Sequence, residues 1–163
     1  MKKYLSILAV ATLLCSCSKD DEAKIGFTEQ EKQVLNAIQG TFYGEYYTNN
    51  GSTLYMTEEV SFSPYSEPKS ITGLWSFTAA GIGTMTTTYG NGSSILGTEH
   101  IYFSLSTSPS GEEQTISFYK YDPDSGYLTN KEDKRIITII NNSSFKMRAY
   151  GLTKENDVTF KKR

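Results

Sequence analysis

Few side chains in this sequence could do acid–base chemistry, and their spacing limits what they can do. His100 is the single histidine and the one free side chain that titrates near neutral pH in its ordinary state. Glu99 precedes it, but consecutive strand residues point to opposite faces, so the two do not form a dyad. The same alternation separates Glu58 from Glu59, which cannot by themselves act as the paired carboxylates of a glycosidase. Glu58 shares the apolar face of its strand. In a barrel it would point inward, where burial raises a carboxyl pKa unless the group is paired. The commoner alternative is a rim carboxylate in water. Asp122-Pro123-Asp124-Ser125-Gly126 has the acidic spacing of a calcium loop, but Tyr127 stands where that loop requires glycine. Asp and Pro are ordinary turn formers, so a turn without metal is expected. Gly81-Ile82-Gly83 lacks the third glycine and the βαβ context of a dinucleotide-binding loop. No nucleophile–base pair is readable at any spacing. The sequence therefore yields no catalytic residue, no metal ligand and no cofactor site, and reads as a non-enzyme.

The remaining signal is aromatic. Tyr43 and Tyr47 share one face of a strand whose other face carries Phe42 and Tyr46; Tyr119 and Tyr121 share a face opposite Phe118. Rows of exposed tyrosine suit flat contacts with a glycan or a protein. The competing expectation is that they pair across strands and cover their neighbours. Phe42, Tyr46, Met56, Phe62, Trp75, Phe77, Phe103 and Phe118 are expected to face the interior, as the walls of a ligand cavity. In a small barrel such residues also fill the space and leave no pocket.

The elements that must position these residues follow from periodicity. Thr28-Glu29-Gln30-Glu31 is a capping box, and Val34, Leu35 and Ile38 follow at helical spacing, so the pattern predicts a helix over residues 29–39, ended by Gly40. From Thr41 the period becomes two. Asn49-Asn50-Gly51-Ser52 and Gly90-Asn91-Gly92-Ser93 read as hairpin turns. Further turns fall at 108–111, 122–126 and 141–144. Residues 63–68, with two prolines, read as a loop. Residues 79–83 read as a turn before a Thr-rich strand. Ile71, Gly73, Trp75 and Phe77 align on one strand face. Arg135 to Ile140 is too dense in isoleucine for faces to be assigned. Roughly eight or nine antiparallel strands in a meander result. Closing them into a barrel removes both edges, and a two-sheet sandwich is the main alternative.

Composition narrows the class. Thirteen per cent aromatic residues with twelve tyrosines is a β composition. The N-terminal stretch fixes the expected location. Lys2 and Lys3 precede an apolar run of eleven residues, Tyr4 to Leu14. That is long enough for a signal h-region and shorter than the ~20 residues that span a bilayer. The run ends in Leu14-Cys15-Ser16-Cys17, which resembles a bacterial lipobox with Cys17 as the lipidated residue. Residues 1–16 would be the signal peptide, 17–27 a lipidated acidic tether and 28–163 the barrel domain. Removal of residues 1–16 takes away two lysines and no acids, so the formal charge of −2 becomes −4. An acidic chain gains nothing from polyanions, which argues against nucleic acid. Both cysteines lie in the signal region, so no disulfide staples the domain. Ser18-Lys19-Asp20-Asp21-Glu22 resembles the acidic export tag of Bacteroidetes surface lipoproteins, which implies an outer-membrane anchor facing the exterior.

Over residues 29–163 the order of elements resembles the lipocalin-like lipoproteins of gut Bacteroidetes. A short helix leads into Gly40-Thr41-Phe42. Gly73-Leu74-Trp75 gives a Gly-x-Trp element. Ile136 to Ile140, Phe145-Lys146-Met147-Arg148 and Thr159-Phe160-Lys161-Lys162-Arg163 are similar to that family's last hairpin and closing strand. The family's Trp at the first strand is Phe42 here. The resemblance implies an all-β barrel of about eight strands that binds a small apolar ligand in its mouth.

Overall fold

The structure is a computed structural model. It describes residues 26–48, 51–72, 76–90, 94–129 and 132–163, without the side chains of 94–96. Cys17 with its acidic tether, and the Gly73-Leu74-Trp75 element, lie outside the described residues.

The helix α1 (Glu29–Ala37) starts at the expected capping box: the Thr28 hydroxyl accepts from the Glu31 amide at 3.2 Å, and the Glu31 carboxylate accepts from the Thr28 amide at 2.8 Å. Ile38 closes it, and Gly40, at a φ of +105°, turns the chain into the sheet. Eight strands follow: β1 (Gly40–Tyr47), β2 (Leu54–Ile71), β3 (Phe77–Tyr89), β4 (Ser94–Thr107), β5 (Gln114–Tyr121), β6 (Asp133–Asn141), β7 (Ser144–Ala149) and β8 (Val158–Lys162). Each pairs antiparallel with the next in sequence. β8 returns to β1 and closes the barrel, as expected, in place of a sandwich. That last seam is short: Phe42, Gly44 and Tyr43 face Lys162, Phe160 and Lys161, and beyond Gly44 the two strands part.

Three expectations about strand ends are corrected. Ile71 and Phe77 do not share a strand, because Ile71 ends β2 and pairs across with Phe77, which begins β3. Residues 63–68 are not a loop, because β2 runs through them to Ile71, with its register shifting between Pro64 and Lys69. Residues 79–83 are not a turn but the middle of β3. Their small side chains answer a packing need. A Cβ on Gly81 would lie 2.5 Å from the Phe103 ring, and one on Gly83 would lie 1.9 Å from the Ser61 carbonyl oxygen. Gly44 likewise makes room for Phe160, whose ring would be 2.7 Å from an added Cβ.

The gaps at Gly81 and Gly44 are occupied by phenylalanine. Phe42, Phe103, Phe118, Phe145 and Phe160 are fully buried. Phe62 meets Phe103 edge-on at 5.3 Å, and Phe145 stacks on Phe160 at 5.4 Å. Val34, Leu35 and Ile38 of α1 join the same cluster, so the helix plugs the end of the barrel at which β1 begins. The other end holds the turns after β1, β3, β5 and β7.

Candidate functional site

The open end is where charge meets cavity. β1 delivers Tyr46, β2 delivers Met56 and Glu58, and β6 delivers Asp133 and Arg135, all around one mouth. Glu58 is 3% exposed, so it is not a rim carboxylate in water. Arg135, on the strand whose faces the sequence left unassigned, supplies the missing partner. Its Nη1 donates to Glu58 Oε2 at 2.6 Å and its Nη2 to Glu58 Oε1 at 2.9 Å. Nη2 also donates to Asp133 Oδ2 at 2.7 Å, Nε donates to the same oxygen at 3.1 Å, and Nη1 donates to the Tyr46 hydroxyl at 3.2 Å. A guanidinium carries five N–H donors. All five of Arg135's are thereby matched to acceptors in the wall. The Tyr46 hydroxyl donates in turn to Glu58 Oε2 at 2.5 Å. Beneath this layer the guanidinium carbon lies 5.3 Å from the centre of the Phe118 ring, so the ion cluster floors the mouth and roofs the phenylalanine core.

Electrostatics follow from the geometry. Burial pulls the Arg135 pKa down, but the hydrogen bonds and charge of Glu58 outweigh it and hold the guanidinium firmly charged. Burial first, and then the neighbouring Glu58 carboxylate, push the Tyr46 phenol far above its ordinary value of 10.0. A folded-state pKa that is raised means that, above pH ~10, the unfolded chain loses a proton the folded chain keeps, so stability falls as pH rises, by up to about 1.4 kcal/mol per unit. Tyr46→Phe removes this contribution. Urea unfolding at pH 9 and pH 10.5 should show a shallower alkaline loss for the variant than for the parent chain. Equal losses would mean that burial and Glu58 do not hold Tyr46 neutral.

The cavity above the floor has a volume of about 750 Å³. One side is formed by Tyr46 and Tyr47 at the end of β1. The other is the loop between β7 and β8, with Leu152 and the residues of a 3-10 turn at Lys154–Asn156. Arg148 pins that loop: Nε donates to the Leu152 carbonyl at 3.1 Å, Nη1 to Asp157 at 2.9 Å and Nη2 to Glu113 at 3.0 Å. The cavity opens where β1 and β8 have parted.

Of the eight residues expected to wall a cavity, Tyr46 and Met56 line this one. Phe42, Phe62, Phe103 and Phe118 point inward and are buried in the packed core instead. Phe77 does not face the interior at all. It stacks on Tyr119 at 3.8 Å and meets Tyr102 edge-on at 6.1 Å, on the outside of the barrel. The reason is that residues 77–79 pair with β2 alone, beyond the register shift, and join β4 only from Gly81 onward. Trp75 lies outside the described residues.

The four tyrosines expected to form a contact surface fall on two separate walls, since β1 and β5 lie on opposite sides of the eight-strand circuit. Tyr43 packs under the Arg163 guanidinium at 4.3 Å, and the exposed Tyr47 hydroxyl donates to Glu45 at 2.8 Å. On the other wall Tyr121 stacks on Tyr102 at 4.3 Å beside His100, and Tyr119 is covered by Phe77. Tyrosines therefore do cover neighbouring strands, and no single surface holds Tyr43, Tyr47, Tyr119 and Tyr121.

The acidic candidates separate as their alternation requires. Glu59 faces outward to Arg163 at 2.6 Å, and Glu99 pairs with Lys120, away from His100. The Asp122 carboxylate accepts from the Asp124 amide at 2.9 Å within its own turn. Arg135 is the functional residue the sequence did not reveal. One signal for it existed: a lone cation inside a β-branched run needs an anion, and Glu58 was the inward acid without a partner.

An eight-stranded antiparallel barrel with one plugged end and one charged, open end is thus the class this fold and site define. The chain matches no protein-family model, and neither a curated protein nor a solved structure resembles it significantly.

Proposed function

We propose that this chain is a lipid-anchored, non-enzymatic binding barrel that holds one small molecule in its open mouth. The observation that carries the reading is the cavity of about 750 Å³ over a rigid ion cluster. Its size is that of ordinary small-ligand sites, ~300–1,000 Å³. The floor is preorganised, since every donor of Arg135 is already held, and a rigid floor lowers the ordering cost of binding. Tyr46, the phenol at the floor, is kept protonated and so is not poised as a nucleophile.

The resemblance to lipocalin-like lipoproteins implies a small apolar ligand in the mouth, and the expected cavity walls include Phe42, Phe62, Phe103 and Phe118. The phenylalanine core takes up that space, so the ligand we propose is polar and sits above Arg135. The anchor rests on the lipobox-like Leu14-Cys15-Ser16-Cys17 and on the short h-region before it. No helix among the described residues is long and apolar enough to cross a membrane. With Cys17 in the outer membrane, facing the exterior, the tether joins the barrel at its plugged end, before α1.

Two measurements test this. The full chain should incorporate labelled palmitate in its bacterial host, and Cys17→Ala should abolish the label; labelling that survives would remove the anchor. Residues 23–163 contain every described element of a barrel that closes on itself. Purified from the host, that domain should carry a small molecule by native mass spectrometry, and Ala149→Trp, which fills the mouth, should lose it. A parent domain that is empty and takes up no small molecule on titration would refute the carrier.

A further inference from the structure

We infer that the ligand is a small organic cation, an ammonium group on an apolar or aromatic body. This deepens the binding reading above and rests on it. An arginine at the mouth of a barrel ordinarily suggests a carboxylate ligand. Here the opposite follows, because Arg135 has no donor left to offer: Glu58, Asp133 and Tyr46 take all five. The second guanidinium, Arg148, is held through three of its five N–H groups by Glu113, Asp157 and the Leu152 carbonyl, so its charge is already shared by two carboxylates. An anion entering at Arg135 would have to break these bonds and leave the buried Glu58 uncompensated, and one entering at Arg148 would meet a guanidinium already flanked by Glu113 and Asp157.

The carboxylates, in contrast, exceed the cations. Glu45, Glu58, Asp133, Glu155 and Asp157 line the cavity against Arg135 and Arg148, an excess of three negative charges. Lys154 belongs to the adjoining turn but is not part of the lining. The whole chain carries a formal charge of only −2, so the negative field is concentrated at this mouth. A concave wall with one sign of charge focuses that field on whatever enters.

The charges do not converge on a point. Among the described residues no three His, Cys, Asp or Glu side chains are placed to hold a metal ion. They are spread around an opening that also presents Met56, Leu152, Ala149 and the rings of Tyr46 and Tyr47. Apolar and aromatic surface beside dispersed carboxylates suits a cation with an organic body, which gains both apolar burial and attraction to the ring faces.

The test is calorimetric titration of residues 23–163 with phenethylamine, tyramine and choline, against 3-phenylpropionate and laurate. At least one amine should bind. Its affinity should fall about tenfold between 50 mM and 500 mM salt, because exposed carboxylates are screened. Glu45→Gln combined with Glu155→Gln should weaken it about tenfold, with an unchanged melting temperature, since both side chains are exposed. Ala149→Trp should abolish it. If 3-phenylpropionate or laurate binds as tightly as any amine, and that binding is lost in Ala149→Trp, the cation inference is overturned and the carrier stands. If the host-purified domain is empty and no probe binds, the carrier falls and the inference with it.

Discussion

Arg135→Ala should lower the unfolding free energy by about 3–5 kcal/mol, the usual result of removing one partner from a buried ion pair. Glu58 is 3% exposed, and its two oxygens rely on Nη1 and Nη2 of Arg135 and on the Tyr46 hydroxyl. Without the guanidinium a charge remains at the top of a phenylalanine core, with one phenol to solvate it. The loss comes from the stranded anion more than from the missing attraction, so removing both charges should recover most of it. Glu58→Met with Arg135→Met should return to within about 1 kcal/mol of the parent chain, because methionine fills irregular space and needs no partner. Urea denaturation of the single and double variants decides. A loss under about 1 kcal/mol in Arg135→Ala would show that water reaches Glu58 freely.

The second large effect is expected at Gly83. Its added Cβ would sit 1.9 Å from the Ser61 carbonyl oxygen, and that atom belongs to the backbone of β2. Relief requires the two strands to separate where Phe62 faces Gly83 and Ser61 faces Thr84. Gly83→Ala should therefore cost about 3 kcal/mol or more, at the upper end of overpacking effects. Gly44→Ala is the instructive comparison. There the obstruction is the edge of the Phe160 ring at 2.7 Å, which can tilt, so the cost should be the smaller of the two. Thermal unfolding of both variants gives the order, and a Gly83→Ala chain as stable as its parent would show that residues 79–83 adjust as freely as a turn.

These two positions also mark the boundary of what the sequence reveals. The capping box at Thr28, the hairpin after β1 and the alternation of Ile101, Phe103 and Leu105 are local signals, and each reads correctly because the structure it encodes is local. Closure into a barrel is legible for a general reason, since a meander of short hairpins leaves two edges to satisfy. The stretch at 79–83 misleads because small residues serve two ends. They permit turns, and they permit close approach of a neighbour that is distant in sequence. Phe77 misleads because residues 71–77 read as one alternating strand, whereas Ile71 and Phe77 face each other across two strands, beyond the shift between Pro64 and Lys69. The charged mouth was half legible: Glu58 stood out as an inward acid, whereas Arg135 was hidden in its isoleucine-rich run. No periodicity argument brings together residues 77 positions apart.

The seam between β1 and β8 also governs the order in which the chain can fold. Seven of the eight strand pairings join neighbours in sequence, and each can form as a hairpin soon after its two strands exist. The eighth sets Gly44 against Phe160 and pays for a loop that spans almost the whole domain. Until that happens the sheet is an open ribbon with two bare edges and a phenylalanine-lined face in water, the species most prone to pair with another copy. Three residue pairs close it, and the last strand to complete the barrel is the one that turns an aggregation-prone ribbon into a sealed molecule.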